Sequence, residues 1–199
     1  AEGELLGQGT RAAARSLGVD YAMQVKGLEL AAYDPRKLTG MAISYSTANR
    51  GGCHSRAWTV ADELSGTEFS GAELAQMVAS YHDAGCVRDS LIVCTFLAGT
   101  LAPFYAPALS AVLGREFDDG ELKLAGERIY TLERLLNVQR GVDASLDTLP
   151  RRILEGMVKP EVYRDGMAAY YRIRGWDEQG RPRPDKLAEL GLAGIVRSV

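Results

Sequence analysis

The sequence predicts an all-α fold. Apolar residues recur at helical spacing, as in Leu122, Ala125, Ile129, Leu132, Leu135 and Leu136. Helix punctuation is frequent, with Gly18 and Gly141 as stops and Ser70 followed by Glu73 as a start. Strand-type alternation is nearly absent.

Residues 4–17 read as a short helix that Gly18 ends in a left-handed cap. Residues 26–36 are turn-rich and close on Asp34-Pro35, so they form an extended connector. A compact helix over 38–48 carries Gly40, Ala42, Ser44, Ser46 and Ala48, small residues that let another backbone come close, and it runs into the turn Asn49-Arg50-Gly51-Gly52-Cys53-His54. Ser70 caps a helix with Glu73 at the reciprocal position, and that helix is expected to reach about His82. Helical character resumes after Asp89, restricted by Pro103 and Pro107. The next helix spans 121–140, with Glu127, Arg128, Glu133 and Arg134 mainly off its apolar face, and Gly141 stops it. A turn over 147–152 precedes helices at 161–174 and 184–190. With no internal repeat and no interior linker, the chain reads as one helical unit. Residues 1–36 are expected to end a preceding helical lobe and its connector, and residues 37–199 to form the C-terminal all-α domain.

The 199 residues, 46% hydrophobic and 25% charged, are those of a globular protein with a real core. A net charge of -3 provides no basic field and argues against nucleic acid as a partner. Cys53, Cys86 and Cys94 are too few for a secreted disulfide framework and point to the cytoplasm. The longest apolar candidate, 91–102, falls short of the roughly 18 residues of a membrane span. No basic region leads into an apolar stretch at the start, and the first residues Ala1-Glu2-Gly3 lack Met, as in a processed or excised piece.

The chemistry-bearing stretch is Asp89-Ser90-Leu91-Ile92-Val93-Cys94, a carboxylate and a thiol in an otherwise apolar run where burial is expected. A buried carboxylate requires donors, a cation or a ligand. His54 closes a Gly-Gly turn whose backbone can approach a ligand, and it can exchange a proton near neutral pH; the plain alternative is a hydrogen-bonded loop histidine. Cys53, His54, His82, Cys86 and Cys94 lack the paired spacing of a compact zinc module, and Cys94 by itself also reads as a core thiol. Arg151-Arg152 read as a solvated turn and Tyr170-Tyr171 as a helix packing edge. No phosphate-binding glycine motif is present.

Five blocks in order resemble the C-terminal part of the tungsten-containing aldehyde ferredoxin oxidoreductases. They are the blocks over residues 25–36, 45–54, 89–94, 126–134 and 170–177. The resemblance implies the family's multihelical C-terminal domains, tungsten or molybdenum held between two pterins, a 4Fe-4S cluster, and oxidation of an aldehyde substrate to a carboxylate with ferredoxin as electron acceptor. The family's pterin motif D-x-x-G-L-C aligns Asp89 with its carboxylate and Cys94 with its cysteine. Val93 stands at its Leu and Ile92 at its Gly. Asp89 and Val93 would then bind pterin, Cys94 would be the fourth cluster ligand, and His54 the active-site histidine at the substrate oxygen. Arg56 is a further donor to pterin or phosphate. The family's C-x-x-C-x-x-x-C motif and first pterin motif are not in these residues, so the N-terminal part of the same protein is an expected partner, and the chain alone is expected to be inactive. A homo-oligomer is compatible with this reading. The alternative is a non-catalytic helical scaffold or subunit-interaction domain that keeps the fold.

Overall fold

The computed structural model describes residues 2–195; Ala1 of the expected clipped start, and residues 196–199 of the expected C-terminal domain, lie outside the described residues. The fold is helical, as the sequence predicts. The expected first helix is two, α1 (Glu2–Leu6) and α2 (Thr10–Leu17), parted at Gly7-Gln8-Gly9 and closed by Gly18 at φ 67°. The connector holds a small antiparallel hairpin, β1 (Gln24–Val25) with β2 (Leu28–Glu29). Its two turn residues, Lys26 and Gly27, both have positive φ, 52° and 94°, the tight-turn geometry that matches strand twist.

Helix α3 (Thr39–Thr47) is buried along its entire length. Its small polar residues make that feasible, because Ser44 donates to the Ala57 carbonyl, Thr47 to the Ile43 carbonyl, and Ser46 pairs with the Tyr163 hydroxyl. At its N-terminus the Gly40 and Met41 amides donate to Glu63 of the short α4 (Val60–Glu63).

Around α3 stand α5 (Gly71–Ser90), α8 (Asp119–Gln139) and α10 (Pro160–Arg174), with α5 packed on the other three. The capping boxes are in place at Ser70 with Glu73, and at Asp118 with Glu121. Helix α5 runs eight residues past the expected end at His82, since residues 83–90 contain no proline and bury Asp83, Gly85, Cys86, Val87 and Arg88 against neighbours, packing that outweighs the weak helix propensity of Gly85. Helix α8 also departs from its expected face. The ridge Leu122, Ala125, Ile129 and Leu132 is half-buried, whereas Gly126, Tyr130, Thr131 and Arg134 are fully covered. A Cβ on Gly126 would collide with the Asp83 carbonyl, so α8 sits on α5 along its smallest residue. Arg134, expected off the packed face, is inside because a carboxylate waits for it there. Likewise Tyr170 is wholly buried, rather than at an edge.

That carboxylate is Asp147. Arg134 grips it with two nitrogens at 2.9 and 2.7 Å, Lys26 Nζ lies 2.8 Å away, and the Tyr171 hydroxyl donates at 2.6 Å. The Arg134 and Asp147 side chains are completely shielded from solvent. Arg134 also donates to the Gly180 carbonyl and lies over the Trp176 ring at 4.3 Å, while Lys26 donates to the Ser46 carbonyl. Burial lowers the Lys26 pKa, against the pull of Asp147. A second buried group joins α5 to α10: Arg174 donates to Asp83 at 2.6 Å, to the Ala79 carbonyl and to the Tyr170 hydroxyl, over the Tyr130 ring at 4.3 Å. His82 stacks on Tyr130, and its Nδ1 is 2.9 Å from the Tyr170 hydroxyl. The chain continues after α5 as short helical pieces including α6 (Ala98–Leu101) and α7 (Tyr105–Leu113); α9 (Arg151–Leu154) lies in the expected 147–152 turn region and α11 (Pro184–Glu189) closes the described chain.

The apolar segment expected to end near residue 102 in fact continues. Thr95–Leu113 is a 19-residue helical stretch of mean hydropathy 1.5, only 6% buried, and passes the length and composition test for crossing a membrane. It is built of 3-10 turns and two short α-helices, with Pro103 and Pro107 inside it.

Asp147→Asn removes the charge that balances two buried cations, and is expected to cost about 3–5 kcal/mol in urea unfolding. Burial and the nearby Arg174, Arg56 and Lys26 cations hold the His82 pKa well below its ordinary value, so the folded state keeps it neutral. Its contribution is complete above the unfolded value near pH 6.5 and is lost as pH falls toward the folded value. Between pH 7.5 and 5 the wild type should lose more stability than His82→Phe, by at most about 2 kcal/mol, the limit for a histidine that stays neutral in the folded state throughout, measured by denaturant titration at each pH.

Candidate functional site

Because α5 extends to Ser90, Asp89 sits on its last turn rather than in an irregular apolar run. Two arginines hold it. Arg56 Nε donates to Oδ2 at 2.9 Å, and Arg88 donates to Oδ1 through Nε at 3.0 Å and Nη2 at 2.6 Å. Burial alone would raise the Asp89 pKa, but the Arg88 and Arg56 hydrogen bonds outweigh it and keep the carboxyl below its ordinary range. The side chain is 32% exposed, so an ionised carboxylate faces outward from a frame that fixes its orientation. Arg56 also donates to Glu133 of α8 at 2.5 Å and reaches the Cys86 sulfur at 3.5 Å. Its guanidinium is thus committed to protein carboxylates, which makes it a strut between the 48–56 loop, α5 and α8. Cys86 is inert: burial pushes its thiol up to about 12.

The turn after Asp89 has a specific geometry. The Ile92 amide donates to the Asp89 carbonyl and the Val93 amide to the Arg88 carbonyl, with Ile92 left-handed at φ 58°. This is a Schellman ending, whose left-handed position favours glycine. It explains why the related motif carries Gly there, and it makes the β-branched Ile92 a strained occupant. Ile92 is 93% exposed and Cys94 is exposed and unpaired, so the expectation that this run is buried is corrected: α5 stops, and the chain turns outward. Val93 is half-buried beside it.

His54 lies elsewhere on the same loop as Arg56. Its ring packs 5.2 Å from that of Tyr33, which in turn meets Trp58 edge-on. The preceding glycines serve packing rather than approach to a ligand. The Gly52 amide donates to the Val25 carbonyl, and a Cβ on Gly51 or Gly52 would strike the hairpin carbonyls of Val25 or Leu28. The structure therefore unites Arg56 with Asp89, sets Val93 and Cys94 on the adjoining turn, and packs His54 against Tyr33. Arg88 and Glu133 were not singled out by sequence; the only signal was a basic residue preceding Asp89 and an acidic one off the apolar ridge of α8. Among the described residues, no three His, Cys, Asp or Glu side chains group to hold a metal ion.

Residues 2–192 match the family described as aldehyde ferredoxin oxidoreductase, domains 2 and 3. The chain belongs to the aldehyde ferredoxin oxidoreductase family. Its similarity to the tungsten-containing aldehyde ferredoxin oxidoreductase of Pyrococcus abyssi is 38% identity over 210 residues, covering 98% of this chain and 35% of that protein. The Pyrococcus horikoshii enzyme of the same name is 38% identical over 206 residues, covering 96% of this chain and 34% of that protein. A Pyrococcus furiosus protein named aliphatic sulfonate oxidoreductase, WOR-like subunit, is 28% identical, over 99% of this chain and 33% of its own length. The chain thus spans about a third of the curated relatives it matches. Its fold also matches that of a chain in the active site complex BamBC of benzoyl coenzyme A reductase, solved with 1,5-dienoyl-CoA. That match has a TM-score of 0.80 at 19% identity, over 98% of this chain and 37% of that one. The helical architecture of the family's domains 2 and 3 therefore applies here.

Ile92→Gly should stabilise the chain by about 0.5–1 kcal/mol in thermal or urea unfolding, because relief of left-handed strain exceeds the added unfolded-state entropy and an exposed side chain loses little packing. An unchanged or lower stability would show that the turn tolerates Ile92 without strain.

Proposed function

We propose that this chain is the C-terminal portion of a tungsten or molybdenum bis-pterin enzyme. In this reading an aldehyde and water become a carboxylic acid, two protons and two electrons, and the electrons leave through a 4Fe-4S cluster to ferredoxin. The observation that carries the reading is the Asp89 turn, where an ionised carboxylate held by Arg56 and Arg88 is followed by a left-handed residue and an exposed thiol. The donor set fits the expected groups. Asp89, which accepts twice at Oδ1 from Arg88 and once at Oδ2 from Arg56, keeps one acceptor position on Oδ2 for a pterin N–H, Val93 lines the same turn, and Cys94 offers a soft ligand to iron. When bound, the metal centre and cluster supply the two-electron chemistry.

The chain's own residues do the rest. Arg56 and Arg88 orient Asp89, and Arg56 fixes the loop that carries His54. His54 would accept a hydrogen bond or proton as water adds to the aldehyde carbon, or donate to the carbonyl oxygen. Aldehyde is preferred over sulfonate as substrate because identity to the aldehyde enzymes is 38% against 28% for the sulfonate one. The remainder of the protein, with further cysteine ligands, would dock on the apolar face that includes Phe96, Phe104 and Val112, exposed by 97%, 61% and 80% and continuous in sequence with Cys94. Three unpaired cysteines support a cytoplasmic setting.

The full-length protein should contain tungsten or molybdenum together with iron, and should reduce a viologen dye with aldehyde. Cys94→Ser should lower its iron content and cluster absorbance. Full metal loading without aldehyde-dependent reduction would overturn the substrate; absence of metal and activity would leave a helical scaffold. Unchanged iron in Cys94→Ser would make Cys94 an ordinary thiol.

A further inference from the structure

We propose that the base of the 48–56 loop contains a specific site for one ordered water, held between His82 and Asn49. A cavity of about 10 Å³ is lined by Ala48, Asn49, Cys53, Arg56, His82 and Tyr130, among others. That volume corresponds to a single water. Two polar atoms among its lining residues are buried and without a protein partner, His82 Nε2 and Asn49 Oδ1, and His82 is only 1% exposed. Each would cost stability if left unsatisfied.

Their chemistry is complementary. Arg174 Nε donates to the Tyr170 hydroxyl, and the Tyr170 hydroxyl lies 2.9 Å from His82 Nδ1. An arginine cannot accept, so the Tyr170 proton is left for another acceptor; directed to His82 Nδ1 at 2.9 Å, it places the single imidazole proton of the neutral ring on Nε2. His82 therefore presents a donor. Asn49 presents an acceptor, because its amide nitrogen is already fixed by donation to the Tyr130 carbonyl at 2.9 Å and toward Glu133 at 3.4 Å. One water can accept from the first and donate to the second. Asn49 begins the loop, its carbonyl accepts from Asn137, and Arg56 lies at the loop's other end, also lining the cavity. The water would be the remaining tie between α5 and the segment bearing His54.

Two measurements decide it. A high-resolution crystal structure should show a water within about 3.2 Å of both atoms. Long-range proton–nitrogen NMR should show His82 as the Nε2–H tautomer, with a cross-peak from its ring to a long-lived water, and His82→Phe should lose that water while keeping the Asn49 bond to the Tyr130 carbonyl. A dry cavity, a direct contact between the two atoms, or the Nδ1–H tautomer would overturn the proposal. If His82→Phe does not fold, the wild-type structure and tautomer give the same decision.

Discussion

Asp147 has no access to water and is met by a guanidinium, an ammonium and a phenol from three separate parts of the chain. Such a group is costly unless every partner is in place. Here each partner belongs to a different element: Lys26 to the hairpin turn, Arg134 to α8, Tyr171 to α10. Arg134 adds the Gly180 carbonyl, and Lys26 adds the end of α3 through Ser46. The ion cluster therefore sets the relative positions of elements whose apolar contacts alone would allow sliding. The hairpin so fixed receives Gly51 and Gly52, and with them the loop that carries His54 and Arg56.

The site inherits this order. Arg56 is held by Glu133 from α8, and Asp89 by Arg56 and Arg88, so the orientation of the outward carboxylate depends on the packing of α5 against α8. Gly126 lets those helices meet closely. The pterin contact proposed for Asp89 would gain from such a frame, because an acceptor already aligned and ionised loses little freedom when a ligand arrives.

The helices were legible in sequence where local signals suffice: the capping box at Ser70 and the glycine stops at Gly18 and Gly141, whereas the second box, Asp118 with Glu121, emerged only in the structure. The order and identity of Asp89, Val93 and Cys94 were also legible, since they lie in one short motif. What escaped was set by distant partners. The inward turn of Arg134 depends on Asp147, the length of α5 on what covers residues 83–88, and the role of Arg56 on carboxylates contributed by two other helices. The Gly-Gly turn was read as room for a ligand because the hairpin that fills that room is remote in sequence. The exposure of residues 92–113 was hidden for the opposite reason: composition alone marks an apolar run as interior, and nothing local says that the core is completed without it.

The distance along the chain between Lys26 and Asp147 has a kinetic consequence. Closing a contact between residues so far apart demands a large loss of chain entropy before any return, and such high contact order slows folding. Until it closes, Lys26 has no countercharge and resists burial, whereas Arg134 can already pair with Asp147 thirteen residues further on. The hairpin is thus locked late, and with it the seat of the 48–56 loop, so that the functional face matures after the helical framework that supports it.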